Sequence, residues 1–267
     1  MRRTVLLLTA FALTLVSIAA TAQFRNYRGL APGQLPEERT GFTFCRLQYT
    51  EVRRESLGQG WETDFPMADQ NLMVRLSELT KTEVTWNRRS GPAHAIVRPT
   101  DPELFLCPFL FASDVGTVGF TAEEARYLRE YLLKGGLLWV DDFWGPRAWS
   151  HWVDQVRQIL PDQPIVQLEM DHPLFSTFYF VERVPQIPSI QFWRGNGGQT
   201  SERGYQSAEP TVSGIFDEHG RLLVIMSHNT DIADGWEREG EDFAFFHAFS
   251  PHGYAVGVNV AIWSMTH

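Results

Sequence analysis

The sequence is poor in the features that mark most known chemistries. It has only two cysteines in 267 residues, and neither belongs to a Cys-x-x-Cys pair. His-Glu-x-x-His is absent too, so the usual zinc signatures are excluded. There is no P-loop, no Gly-x-Gly-x-x-Gly after a strand and no Gly-x-Ser-x-Gly elbow, which removes the ordinary support for kinase, dehydrogenase and serine-hydrolase readings. Positive charge is also short, with 23 Lys and Arg against 32 Asp and Glu, a net charge of −9. An acidic surface repels phosphate backbones and anionic headgroups, so neither nucleic acid nor a membrane surface is an expected partner. A composition of 43% hydrophobic and 21% charged residues excludes disorder, collagen and a multi-span membrane protein.

The N-terminus has the anatomy of a removable export signal: Arg2 and Arg3, an apolar run from Val5 to Ile18, then Ala20-Thr21-Ala22 as a cleavage site. The run falls short of the roughly 20 residues that span a bilayer, so cleavage after Ala22 and no membrane insertion afterwards are expected. No cysteine follows the apolar run, which argues against a lipid anchor. Residues 1–22 are thus assigned to a signal peptide and 23–41 to a poorly ordered mature N-terminus. Residues 42–267 form a single domain with an irregular excursion at about 161–210. The expected location is periplasmic or secreted. Cys45 and Cys107 lie in apolar runs resembling neighbouring buried strands, where disulfide geometry is rare, so two buried, unreactive thiols are expected.

Apolar strands alternate with helices along the mature chain. Phe42 to Tyr49 reads as a strand, and Leu72, Leu76 and Leu79 recur at helical spacing. Residues 104–111 read as a continuous buried strand. Thr121 and Glu124 make a capping box for a helix carrying Ala125, Leu128 and Leu132, stopped by Gly135-Gly136. LLWV at 137–140 is the next strand. A helix from about Arg147 to Leu160 places Trp149, Trp152, Val153 and Val156 on one face. Runs 211–216 and 221–228 flank a hairpin turn, and 253–265 carries a helical stripe. This order implies an α/β class: a mainly parallel sheet with helices on both faces.

In such a sheet ligands gather beyond the carboxyl ends of the strands. Three loops there are unusual. One holds Trp61, Glu62, Asp64, Asp69 and Asn71; a second holds Asp141, Asp142, Phe143, Trp144 and Gly145; a third holds His228, Asn229, Asp231, Asp234, Trp236 and Glu237. If they share one rim, indoles would cover the apolar face of a sugar while carboxylates and amides take its hydroxyls. Each residue has a structural reading as well. Asp69 can cap the helix bearing Leu72, Asp142 and Asp234 can satisfy turn donors, and the tryptophans can pack beneath their loops. The third loop offers hard oxygen ligands of the kind Ca²⁺ or Mg²⁺ takes, but not at EF-hand spacing, so no metal ligand and no cofactor is assigned. His172, in Asp171-His172-Pro173, is a candidate acid or base or simply a loop-ordering residue.

The segments GWETDFPMADQNL, GGLLWVDDFWG, DHPLFSTFY, PQIPSI, GRLLVIMSHNTDIADGWE and GVNVAIWSMTH together resemble the bacterial domain of unknown function 4159 family, from Phe42 to His267. That family is similar to the class I glutamine amidotransferase-like superfamily. The resemblance implies a flavodoxin-like three-layer sandwich, and His172-Pro173 is similar to a His-Pro pair in its trehalose-utilisation-type members. Amidotransferases of this kind place a nucleophilic cysteine on a sharp turn after a strand. Here Asp141-Asp142 follows LLWV where that cysteine is expected, and Cys107 belongs to the preceding apolar run.

Two functions are therefore expected. The first is an exported, non-catalytic module of the cell envelope that binds a polar small molecule or glycan through Trp61, Asp64, Asp69, Asn71, Trp144, His228, Asn229, Asp231, Asp234 and Trp236. The alternative is a carboxylate-dependent hydrolase at the same rim, with Asp141 or Asp142 as base or nucleophile and His172 or His228 assisting. An envelope protein that covers the rim is a further candidate partner.

Overall fold

A computed structural model describes residues 35–36, 40–87 and 91–267. The expected export signal and most of the stretch 23–41 lie outside the described residues. In chain order the elements are β1 (Phe44–Leu47), β2 (Thr50–Glu51), α1 (Met67–Leu79), β3 (Trp86–Asn87), β4 (Gly91–Pro92), β5 (His94–Val97) and β6 (Phe109–Ala112). They continue with β7 (Val118–Gly119), α2 (Ala122–Leu133), β8 (Leu137–Phe143), α3 (Gly145–Ile159), β9 (Ile165–Gln167) and α4 (Ile190–Gly195). The chain ends in β10 (Thr211–Phe216), β11 (Leu222–His228), α5 (Asp234–Glu237) and α6 (Phe243–Thr266).

Seven strands form the central sheet in the order β5-β1-β6-β8-β11-β10-β9. The first five are parallel; β10 and β9 extend one edge antiparallel. Side chains alternate across it. Phe44, Phe109, Phe111, Trp139 and Ile225 pack with Leu72 and Leu76 of α1 and with Tyr254, Val258 and Ala261 of α6. Leu47, Leu110, Leu138, Val140 and Met226 pack with Leu128 and Leu132 of α2 and with Trp152 and Val156 of α3. Helices therefore cover both faces, and the near-continuous apolar strands are what burial on two sides requires.

The capping box forms as read: the Thr121 hydroxyl accepts from the Glu124 N–H at 3.2 Å, and the Glu124 carboxylate accepts from the Thr121 N–H at 2.8 Å. Gly135, with φ 113°, takes the chain out of α2 in a conformation that favours glycine. Residues 104–111 differ from expectation. Pro102–Leu106 is a 3₁₀ helix, and β6 begins only after Pro108. That places Cys107 in the connection ahead of the ladder, and it forms a disulfide with Cys45 of β1, Cα atoms 6.0 Å apart. The expectation of two free thiols is corrected: Cys107 is not a strand residue, so the poor geometry of neighbouring strands does not constrain it. The aromatic run FAFFHAF belongs to α6, whose N-cap Asp242 accepts from the Phe245 N–H at 3.0 Å. No helix among the described residues is long and apolar enough to cross a membrane.

Candidate functional site

The carboxyl ends of three adjacent strands repeat one device. Asp114 lies just past β6 with φ 50°, Asp142 lies near the end of β8 with φ 53°, and Asn229 directly follows β11 with φ 62°. Asp64, ahead of α1, has φ 63°. Asp and Asn tolerate this left-handed region far better than branched residues do, and such strain tends to gather where a functional geometry is held. In β8 it produces a bulge. Val140 pairs with Met226 and Phe143 with His228, so Asp141 and Asp142 together stand opposite Ser227. The bulge extends β8 beyond LLWV and turns Phe143 onto the α3 side, where Val140 also packs.

The three loops then lock together. Arg46 of β1 holds Asp69 of α1 through Nε at 3.0 and 3.1 Å, and its Nη1 donates to the carbonyls of Trp61 at 3.2 Å and Thr63 at 2.9 Å. Asn71 donates to the Trp236 carbonyl at 2.8 Å. Asp141 accepts from the Ala233 N–H at 3.0 Å, and Asp231 accepts from the Asp234 N–H at 2.9 Å. Asn229 accepts from the Gly145 N–H at 2.8 Å, and Asp114 accepts from the Gly60 N–H at 2.9 Å.

Carboxyl groups are thus crowded out of water. Burial pushes Asp141 up to about 8 and Asp114 and Asp234 up to about 7, against backbone hydrogen bonds in the first two cases and the Arg238 guanidinium in the third. Burial also raises Asp64, Asp142 and Asp231 well above the carboxylate range, reinforced by their acidic neighbours. Asp64, Asp234 and Glu237 bring one carboxylate oxygen each within 4.8 Å of one another.

A family model described as Domain of unknown function (DUF4159) matches residues 43–265. The chain belongs to the DUF4159 family. No characterised protein matches its sequence.

In this DUF4159 chain the rim expected from the sequence is shared by all three loops, but it is closed rather than open. Trp236 is wholly buried against Trp139 and Phe111, and Trp144 is buried with its indole N–H donating to Asp142 at 2.9 Å. Neither presents a face to a ligand, so the sugar-stacking role expected of them is corrected: a large apolar ring stabilises more by joining the core than by staying at a wet rim. Trp61 is half-buried beside Phe65. Asp69 does not cap α1; Pro66 stands at the N-cap, and Asp69 neutralises Arg46 instead.

His172 is not part of this rim. It packs on Phe216 and Trp263 and accepts from the Leu174 N–H at 3.2 Å. Phe216 pairs with Leu222, at the start of β11, whereas Asp141 and Asp142 stand opposite Ser227, near its end. The separation is roughly 16 Å at about 3.3 Å per residue. His172 therefore cannot assist Asp141 or Asp142, and its role is to order its own loop.

Sequence reasoning passed over Arg46 and Asp114, and took Trp149 only as part of a helix face. Asp114 had a readable signal, since an apolar strand ending in Asp or Asn recurs at FLFASD, LLWVDD and VIMSHN. Arg46 had none, because a lone arginine in a strand reveals its partner only in three dimensions.

His228 lies on the α3 side, with ring contacts to Phe143 and Trp149 at 4.9 Å, and its Nε2 is 3.1 Å from the Gly145 carbonyl. Burial pushes it down to about 4, with that hydrogen bond opposing. The folded protein therefore keeps His228 neutral, while the unfolded chain protonates it near 6.5. Stability from this group is intact above pH 6.5 and is lost as pH falls toward 4. Urea titrations at pH 7 and pH 4.5 are expected to show wild type losing about 2 kcal/mol relative to His228→Gln. Equal losses in both proteins would show that His228 is not held neutral.

Proposed function

We propose that this family member is an exported binding module for a polar ligand such as a glycan, seated in a groove on the α3 side of the carboxyl edge. The observation that carries this reading is a groove of about 340 Å³ walled by Trp149 and His228 and edged by Gln167, Gln206, Thr211 and Ser213. One aromatic wall and four amide or hydroxyl groups are the complement of a sugar ring, apolar on one face and polar around its edge. Phe143 backs Trp149 in a parallel stack at 6.1 Å, which fixes the indole without help from a ligand.

Export to a periplasmic or extracellular location is supported by the disulfide, since such bonds persist in oxidising compartments. The five parallel strands, taken in chain order, stand 2-1-3-4-5 across the sheet. That is the flavodoxin-like order, which supports the proposed kinship with class I glutamine amidotransferase-like proteins. Both cysteines are in the disulfide, so thioester chemistry has no thiol to use.

A glycan array followed by isothermal titration tests the reading. Trp149→Ala is expected to weaken binding about tenfold, the equivalent of about 1.4 kcal/mol for a lost stacking surface. An array without a binder, or affinity unchanged in Trp149→Ala, would overturn it. The hydrolase reading has one observation in its favour: Asp141 and Asp114, at about 8 and about 7, retain protons near neutrality, as a general acid must. Turnover of an array glycan that vanishes in Asp141→Asn or Asp142→Asn would replace binding with catalysis.

A further inference from the structure

The acids on the α1 side of the sheet have no part in that groove, and their charge is not balanced. Arg46 is engaged by Asp69. Arg238 serves Asp234 at 3.3 Å and Glu237 at 2.8 Å. Asp64, Asp141 and Asp231 have no ion-pair partner among the described residues. Buried carboxylates persist when they are protonated, paired or bound to a metal.

Two independent features separate a metal site from a mere accumulation of acids. The first is convergence. Asp234 and Glu237 stand three residues apart on α5 and so share one side of it, and Asp64 reaches the same point from the loop before α1, the three oxygens within 4.8 Å of one another. The second is Asp141. It is wholly buried; one of its oxygens takes the N–H of Ala233, directly before Asp234, and its Oδ1 has no hydrogen-bond partner among the described residues. The carboxyl group is thereby anchored beside Asp234 with one oxygen buried and unpartnered, an arrangement costly to bury unless something positive meets it.

We propose that Asp64, Asp234 and Glu237 bind one Ca²⁺ ion, with Asp141 held next to Asp234 by its hydrogen bond to Ala233. The donors are all hard oxygens, which suits Ca²⁺ and Mg²⁺ and disfavours softer metals. Mg²⁺ demands near-ideal octahedral geometry and keeps several waters, whereas Ca²⁺ accepts a flexible set of protein oxygens, so a largely buried group of carboxylates favours Ca²⁺. The ion would tie the loop before α1 to α5 and so hold closed the edge where the three acidic loops meet. This inference is independent of the ligand groove, which lies across the sheet on the α3 side.

The test uses purified protein stripped with EDTA and titrated calorimetrically with CaCl₂, with thermal melting in parallel. One ion per chain is expected, with a melting temperature that rises in millimolar CaCl₂ and not in NaCl of equal ionic strength. Asp234→Asn and Glu237→Gln are each expected to weaken uptake about tenfold or more. Glu237 is only half-buried, so Glu237→Gln keeps the test open should Asp234→Asn fail to fold. Uptake retained in Trp149→Ala separates this site from the groove whatever becomes of the ligand-binding reading. Absence of stoichiometric uptake by the wild type, or uptake undiminished in both acid variants, would overturn the proposal. Tighter binding of Mg²⁺ than of Ca²⁺ would overturn the choice of ion.

Discussion

Arg46→Met is expected to destabilise the protein by about 3–5 kcal/mol, because it leaves the Asp69 carboxylate buried without its counter-charge. Both side chains are wholly inaccessible, and the guanidinium also packs on the rings of Phe111 at 5.1 Å and Phe65 at 5.7 Å. Its donors reach the Trp61 and Thr63 carbonyls, so the loss extends into the loop that carries Asp64. Chemical denaturation followed by tryptophan fluorescence measures the change. The companion variant separates charge from packing: Arg46→Met with Asp69→Leu is expected to recover most of the loss, since an apolar pair of similar volume removes both charges at once. A double variant no better than Arg46→Met would show that the cost comes from packing and the loop contacts rather than from the stranded carboxylate.

Removing the disulfide is expected to cost a comparable amount. Cys45 and Cys107 are 62 residues apart in sequence. Closing a loop of that size in the unfolded chain corresponds to about 4 kcal/mol in the chain-entropy account. Cys45→Ala with Cys107→Ala should therefore lower the melting temperature by roughly 10 °C for a domain of this size. Thiol reductant should produce the same shift in wild type and none in the double variant. A wild-type melting temperature unaffected by reductant would show that the bond contributes little. The bond joins β1 to the connection that precedes β6, two neighbours at the point where the sheet reverses its direction of growth. Its loss is therefore expected to loosen β1, which presents Arg46, and the amino end of β6.

Much of the architecture was legible in the amino acids because its determinants are local. The Thr121–Glu124 box, the apolar stripes of α1 to α3 and the hairpin of β10 and β11 each depend on residues a few positions apart. Their outcomes follow from periodicity and capping alone. The gathering of acidic residues after strands was legible for the same reason, since the carboxyl ends of parallel strands share one edge. The excursion at 161–210 was not: its proline-rich course hid β9 and α4, whose places come from pairing with β10 and from Asp234 accepting the Ile190 N–H at 2.9 Å.

The order of strands and helices and the acidic character of one sheet edge were determined by the sequence itself, through spacings that no distant contact can change. Whether that edge would be open or closed, whether Trp144 and Trp236 would meet a ligand or the core, whether Cys45 would find Cys107, and which cation would answer Asp69 were decided only by tertiary structure. Each depends on the distance between groups remote in sequence and on the water left between them. Burial and pairing energies are functions of that distance and that water, and neither is written in any local pattern of residues.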